Sequence, residues 1–460
     1  MTARFDQLSL PPATLANLEQ LGYREMTPIQ AAALPPALAG HDVIAQAKTG
    51  SGKTAAFALA LLSRLQSRQF DVQALVLCPT RELADQVTQE IRRIARAEEN
   101  VKVLTLCGGT AISPQAASLT HGAHVVVGTP GRILDHLERG SLTLASLKVL
   151  VLDEADRMLD MGFFDDIASV AKQCPPQRQT LLFSATYPDG ISQLSARFLR
   201  QPKEVKLMQT HAAGQIRQRF YEVSDTERLH AVGRLLNHFR PERTLAFCNT
   251  RQQCRDLVDV LKAEGLSALA LHGDLEQRDR DQVLVRFANG SCSVLVATDV
   301  AARGLDIAGL EAVLNVDIAA DADTHIHRIG RTGRAGAEGW AWSLASVDEM
   351  GRVGRIEQAQ GIVSDWHRLD ELTPAPGGTL QPPRITLQIL GGRKEKIRAG
   401  DVLGALTKEA GFNAEQIGKI NVNDFSTYVA VDRDIAHDAL RKLNAGKVKG
   451  RSVKVRFIEG

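Results

Sequence analysis

Two short strings in this 460-residue chain have the composition and spacing of phosphoryl chemistry. The first is Ala47-Lys48-Thr49-Gly50-Ser51-Gly52-Lys53-Thr54, set between an apolar run and the helix-forming run Ala55-Ala56-Phe57-Ala58-Leu59. Glycines at 50 and 52 let backbone amides curl around phosphate oxygens, and the N-terminus of the following helix adds positive potential. Lys53 can then reach the β- and γ-phosphates, and Thr54 can hold Mg2+ or one of its waters. Ala47 stands where such a loop ordinarily carries glycine. The second string is Asp153-Glu154, at the end of the apolar run Val149-Leu150-Val151-Leu152. A carboxylate at a strand tip suits Mg2+ held through water, and its neighbour suits orienting or deprotonating the attacking water. Glycine turns occur without ligands, and paired acids are common as surface charge. Their presence together, about 100 residues apart, favours nucleotide hydrolysis.

These residues need strand tips to hold them. Short apolar runs near Asp42–Ala45, Ala74–Cys78, His124–Val127, Val149–Leu152 and Thr180–Phe183 alternate with helical patterns. Continuous apolar strands between helices imply a parallel sheet covered on both faces. The pattern repeats at Thr244–Cys248, Ala268–Leu271, Ser293–Ala297 and Ala312–Val316. We therefore expect two α/β domains, residues 1–208 and 215–365, with a cleft between them. Residues 366–383, with Pro374, Pro376, Gly377, Gly378, Pro382 and Pro383, read as a linker. Residues 384–460 read as a β-α-β-β-α-β domain. Strands are expected near Ile385–Leu390, Ile417–Val422, Thr427–Val431 and Ser452–Ile458, with helices near Val402–Ala410 and Ile435–Leu443.

The bulk numbers exclude some classes. No apolar stretch nears the ~20 residues of a membrane span, and the first residues lack the basic-then-apolar pattern of a signal peptide. The six cysteines are scattered without a Cys-x-x-Cys pair. That argues against a disulfide framework or zinc site and for reduced thiols in a cytoplasm. Net charge is +2, but Arg384–Gly460 carries 15 Lys and Arg against 9 Asp and Glu, leaving the rest at about −4. A basic tail suits a polyanion, although a solvated basic surface reads the same way.

In order along the chain, these strings resemble the motifs of the DEAD-box RNA helicases. Asp153-Glu154-Ala155-Asp156 reads D-E-A-D, and Gly22–Gln30 resembles the adenine-reading Q motif, with Phe5 about 17 residues before its glycine. Pro79-Thr80-Arg81, Gly108-Gly109 and Thr129-Pro130-Gly131-Arg132 resemble the first domain's RNA-contacting motifs. Ser184-Ala185-Thr186 matches the motif that links hydrolysis to strand separation. Phe247-Cys248-Asn249-Thr250, Gln277-Arg278-Asp279-Arg280, Ala297-Thr298-Asp299 through Asp306, and His327-Arg328-Ile329-Gly330-Arg331-Thr332-Gly333-Arg334 resemble those of the second domain.

The resemblance implies two tandem RecA-like domains, with ATP and Mg2+ as cofactors. It assigns Phe5 to stacking on adenine, Thr27 and Gln30 to its edge, and Asp306 to the ribose. Asp153 would hold Mg2+, Glu154 would be the general base, and Arg331 and Arg334 would be arginine fingers. Ser184, Thr186, His327 and Arg328 would couple the domains. RNA contacts would fall to Pro79, Thr80, Arg81, Gly108, Gly109, Thr129, Gly131 and Arg132, and to Thr250, Gln277, Arg280 and Thr298. Contacts to backbone position a ligand without reading sequence, so a sequence-indifferent core is expected. Val316 and His325 depart from the family, which often has aromatics there.

The strand order of the tail fits an RNA-recognition-like fold, whose members stack bases on aromatics of the two central strands. Here the first strand has no aromatic and the third only Tyr428, so that mode is not expected. The tail offers basic loops instead: Arg393, Lys394, Lys396 and Arg398, then Lys447, Lys449 and Arg451, with Lys419 nearby. With Gly400–Leu406 and Ile417–Ile420, these resemble the tail of the bacterial DbpA-type helicases. That implies binding to a 23S ribosomal RNA hairpin of the large subunit and action on pre-50S particles by a cytoplasmic monomer. The alternatives are an ATP-gated RNA clamp or scaffold with little unwinding, and a DNA helicase.

Overall fold

Alternating burial on both faces explains why the first domain's strands read as unbroken apolar runs. They are β1 (Val43–Gln46), β2 (Ala74–Leu77), β3 (Val103–Leu106), β4 (Val125–Gly128), β5 (Val149–Leu152), β6 (Gln179–Ser184) and β7 (Lys203–Lys206). Val76, Val127, Val151 and Leu181 enter one apolar cluster. Leu75, Leu77, Val126, Leu150 and Leu182, between them in sequence, enter the other. The sheet is parallel, in the order β3-β4-β2-β5-β6-β1-β7. The strands carrying the phosphate loop (β1) and the acidic pair (β5) thus flank β6, and the site sits at their carboxyl ends, where open α/β sheets bind ligands. The structure is a computed structural model and describes residues 3–47, 50–186, 189–206, 216–302, 309–333 and 338–458.

The second domain repeats the plan with β8 (Ile216–Glu222), β9 (Thr244–Phe247), β10 (Ala268–Leu271), β11 (Val294–Ala297), β12 (Ala312–Asn315), β13 (Gly339–Ala345) and β14 (Trp366–His367). Their order is β10-β11-β9-β12-β13-β8-β14, again parallel. Here the structure corrects the 366–383 boundary, because Trp366 and His367 pair with Phe220 and Tyr221 inside the sheet. The Pro/Gly-rich stretch after them is held along the helix Arg228–Phe239. Arg234 donates to Leu369 O (2.8 Å), Ala375 N donates to Asn237 O (3.0 Å), and Leu380 is buried in this domain's core. Composition reports that such a segment cannot build helix or sheet; it does not report whether the segment is held.

The tail is the antiparallel sheet β16-β17-β15-β18, formed by β15 (Arg384–Ile389), β16 (Ile417–Val422), β17 (Thr427–Asp432) and β18 (Val455–Phe457). Its helices are Ala399–Gly404, prolonged by a π-helical turn Ala405–Glu409, and Ala436–Ala445. Leu387, Ile389, Val429 and Val431 pack under these helices. The opposite face, Thr386, Gln388, Tyr428 and Ala430, is buried too. Thr386 Oγ1 lies 2.6 Å from Ser291 Oγ and 3.4 Å from Asn289 Nδ2, both in the turn after the helix Gln277–Ala288. The face on which relatives of this fold stack bases is therefore turned against the second domain, and the two form one compact unit.

Candidate nucleotide site and RNA-contacting surfaces

Gly50 and Gly52 take left-handed backbone (φ 79° and 91°), which a side chain would strain. A Cβ at Gly52 would also lie 2.6 Å from Gln30 Nε2. This turn starts the helix Lys53–Leu62, so Lys53 is drawn inside at 5% exposure, and among the described residues its Nζ has no hydrogen-bond partner. A buried ammonium without a partner is costly, which fits a site shaped for phosphate. Asp153 is buried opposite, accepting from Glu154 N (3.0 Å). Burial pushes its carboxyl up to about 7; Lys53 opposes that shift and Glu154 adds to it. Glu154 is buried in left-handed backbone (φ 50°), strain of a kind that gathers at functional positions. Gly50, Gly52, Lys53, Thr54, Asp153 and Glu154 line a cavity of about 380 Å3, with Tyr23, Gln86, Glu90 and Arg93 among its other lining residues.

Asp153 and Thr54 line the same cavity as Lys53, and a carboxylate with a hydroxyl there could hold Mg2+ directly or through water. Among the described residues no cluster of three His, Cys, Asp or Glu could cage an ion alone.

The residues expected at adenine are bonded to the chain itself. Thr27 caps the helix Pro28–Leu38, and Gln30 completes the cap by accepting from Thr27 N (2.9 Å). The Gln30 amide donates its other end to Gly52 O (3.1 Å) and is 1% exposed. A buried amide must be paired, and the phosphate-loop carbonyl is its partner here. Phe5 is buried edge-on against Tyr23, with ring centroids 6.1 Å apart. Tyr23 donates to Glu90, and burial holds its hydroxyl pKa well above the usual value. Ala47 N donates to Ser184 O (2.9 Å), while Ser51 and Thr54 are half-buried. Lys48, Thr49, Asp306 and Arg334 lie outside the described residues.

Ser184 and Thr186 meet the acidic motif directly. Thr186 donates to Asp156 Oδ2 through both N and Oγ1 (2.9 Å each), and Asp156 N donates to Ser184 Oγ (3.3 Å). The last residue of the D-E-A-D string thus fastens it to the tip of β6.

Arg328, expected to help couple the domains, is bonded here within the second unit. It is buried, and all five of its N–H donors are used within its own unit. Nε and one NH2 bond pair with Asp299 at 2.7 Å each. The remaining bonds go to Asn315 Oδ1 (3.3 Å), Asp317 O (2.7 Å) and Asn249 Oδ1 (3.0 Å). One guanidinium therefore ties the helix Ala322–Ile329 to the ends of β9, β11 and β12. Arg331 is buried in the turn after that helix, and His327 is half-buried on it. The spacing of the motif marked Arg328, but nothing in it pointed to Asn249, Asp299, Asn315 and Asp317 as its partners. Val316 and His325 are both buried; burial lowers the His325 pKa to about 3.

The expected RNA contacts lie at strand ends. Thr80 caps the helix Arg81–Ile94 behind buried Pro79 and beside half-buried Arg81. A Cβ at Gly108 would meet nothing within 4 Å, and Gly109 is left-handed (φ 75°). Thr129 is half-buried, Gly131 is exposed, and Arg132 donates to Thr110 O (2.9 Å). In the second unit, exposed Thr250 caps the helix Arg251–Ala263, and half-buried Thr298 precedes Asp299. Gln277 donates to Asp281 (2.7 Å) and Arg280 to Ala301 O (2.7 Å). In the tail, Arg393, Lys394, Lys396, Arg398, Lys419, Lys447, Lys449 and Arg451 are all exposed. Arg393 binds Val422 O twice (3.1 and 2.9 Å), and Lys449 Nζ donates to Lys396 O (2.6 Å), so these two also brace the loops.

A phosphate loop, a strand-tip acidic pair and a second sheet of the same plan define a nucleotide-hydrolysing motor. The family model for the DEAD/DEAH box helicase matches residues 27–194, that for the helicase conserved C-terminal domain residues 227–336, and that for the DbpA RNA binding domain residues 386–457. The ATP-dependent RNA helicase DbpA of Escherichia coli is 52% identical over all of both chains. The DEAD-box ATP-dependent RNA helicase CshA of Bacillus anthracis is 44% identical over 77% of this chain and 67% of its own. Among solved structures, S. cerevisiae Dbp5 bound to RNA and ADP BeF3 is similar at TM-score 0.73 and 31% identity, covering 80% of this chain and 96% of that one. The chain belongs to the DEAD-box ATP-dependent RNA helicases, of the DbpA type. It is an RNA helicase with ATPase activity and a C-terminal RNA-binding domain. Among the described residues no helix is long and apolar enough to cross a membrane.

Proposed function

We propose that this helicase opens short RNA duplexes next to a 23S ribosomal RNA hairpin bound by its tail, acting on pre-50S particles during ribosome assembly. It works as a cytoplasmic monomer. The observation that carries this reading is the tail itself. It matches the DbpA RNA-binding domain, its basic loops are exposed, and its sheet face is spent on the second domain.

In the ATPase cycle, Lys53 and the loop amides receive the β- and γ-phosphates. Asp153 and Thr54 would hold Mg2+, which would supply positive charge against the phosphates. Glu154 takes a proton from the attacking water as its oxygen bonds to the γ-phosphorus and the bond to ADP breaks. Arg331 and Arg334 stabilise the charge on the transferring group. The Asp156–Thr186 bonds pass changes at the acidic motif to β6.

The test measures ATPase rate with 23S fragments and with unrelated RNA of equal length, for the full chain and for the chain ending at Pro383. We expect the shortened chain to keep basal ATPase and lose the preference for 23S fragments. Equal stimulation of the full chain by both RNAs refutes the targeting. ATP-dependent binding without strand separation in a duplex assay would favour the clamp.

A further inference from the structure

We propose that Phe425 is a stacking platform for an unpaired RNA base, placed beside the first basic loop of the tail. The inference rests on the RNA-binding reading of the tail and adds a recognition element at a position that motif reasoning passed over. Phe425 is 69% exposed, the most exposed of the large aromatic side chains among the described residues. It sits in the turn between β16 and β17, and Lys394 Nζ lies 5.2 Å from its ring centroid. The turn is built rather than loose. Asn423 N donates to Ser426 O (2.8 Å), Arg393 N to Asn423 O (2.9 Å) and Lys394 N to Asp424 O (3.0 Å). Gly392 passes so close that a Cβ would lie 2.2 Å from Asn423 O. The ring is therefore presented on a backbone locked to the basic loop.

Two considerations point to a base as the occupant. Single-stranded RNA is held by aromatic faces flanked by cations, and stacking tolerates any base because each has a π-face. The usual platform of this fold is closed in this chain, with Gln388 and Tyr428 bonded to each other and Thr386 bonded to Ser291. The charges around Phe425 are Arg393, Lys394 and Lys396 against Asp424 and Glu395. Glu395 accepts from Gly392 N (2.7 Å), and Asp424 lies 3.8 Å from Arg393. The balance favours an anionic backbone beside the ring.

The experiment uses the full chain without nucleotide and a fluorescein-labelled RNA hairpin with an unpaired loop. The control is the same stem closed by a non-nucleotide linker. Anisotropy titrations are run across a salt series. Loss of one stacked base costs about 5- to 150-fold in affinity. Phe425→Ala is expected to lose that much on the looped hairpin and nothing on the closed stem. Its salt dependence should be unchanged, whereas Lys394→Ala should lower the slope by about one phosphate. Phe425→Trp should restore binding and Phe425→Leu should not. Wild-type affinity of Phe425→Ala overturns the proposal, as does rescue by leucine or equal loss on both probes. The chain ending at Pro383 separates the two readings. If it binds the hairpin as the full chain does, the tail reading fails. If it loses binding while Phe425→Ala does not, only the stacking platform falls.

Discussion

Replacing Arg328 tests whether one guanidinium holds the second domain's functional loops together. Lysine at this position keeps the charge but offers three donors from a single point in place of five from a planar fork. It can remain near Asp299, yet it cannot also span Asn249, Asn315 and Asp317, which Arg328 reaches at 3.0, 3.3 and 2.7 Å. Two or three buried hydrogen bonds at about 1 kcal/mol each give a loss of about 2–3 kcal/mol for Arg328→Lys. Methionine also strands Asp299, and breaking a buried pair costs about 3–5 kcal/mol. Urea unfolding followed by tryptophan fluorescence reports this unit alone, because Trp340, Trp342 and Trp366 all belong to it. The expected order of stability is wild type, Arg328→Lys, Arg328→Met. RNA-stimulated ATPase should fall in both variants, since Thr250, Thr298 and Arg331 sit on the loops being tied. A lysine variant within 0.5 kcal/mol of wild type, or equal losses for both variants, would show that the geometry is not what holds the loops.

Arg331→Ala is expected to lower ATPase kcat by about 10³–10⁵ while ATP affinity stays within a few-fold; steady-state kinetics with nucleotide titration checks this, and a drop below tenfold removes it as a finger. Glu154→Gln should keep ATP-dependent RNA binding and lose about 10²–10⁴ in hydrolysis, and wild-type turnover would refute the general base. His325 gives a pH dependence. Its folded pKa, about 3, lies below the ordinary 6.5, so the unfolded chain takes up a proton first and stability falls as pH drops. Between pH 7 and 5.5 the loss is on the order of 1 kcal/mol, it continues toward pH 3, and His325→Gln should flatten it in pH-dependent urea titrations; identical slopes would contradict the burial argument. Thr386→Arg drives a charge into the closed sheet face, so the tail should come off its seat and trypsin should cut faster at Arg384, where the tail begins, without loss of basal ATPase. An unchanged digestion pattern would count against the dock.

The strands, the phosphate loop and the acidic pair were legible because their signals are local. Unbroken apolar runs bounded by glycine and charge mark strands buried on both faces, and Lys53 and Asp153 follow such runs directly. The direction of a long side chain is a different matter. Arg328 turns inward because the ends of three strands distant in sequence converge on it, and no local pattern encodes that. Gln30 closing on Gly52 O has the same origin. The seat at Asn289 and Ser291 carries no sequence signal, since polar residues in a turn look solvated until something covers them. The helix expected over Val402–Ala410 begins three residues earlier and widens into a π-turn, a boundary set by packing rather than by composition.

The closed face of the tail sheet changes how a bound RNA is presented. A domain on a slack tether searches a volume, and its effective concentration near any one site falls as the tether lengthens. A domain seated through Thr386, with the chain before it clamped along the helix Arg228–Phe239, searches almost nothing. Such a mount acts as a ruler. If the tail grips a hairpin as proposed, the offset and angle at which neighbouring RNA meets Thr250, Gln277 and Thr298 in the same unit are restricted. If the core contacts read no sequence, as expected of contacts to the RNA backbone, selectivity for a duplex then arises from distance along the RNA.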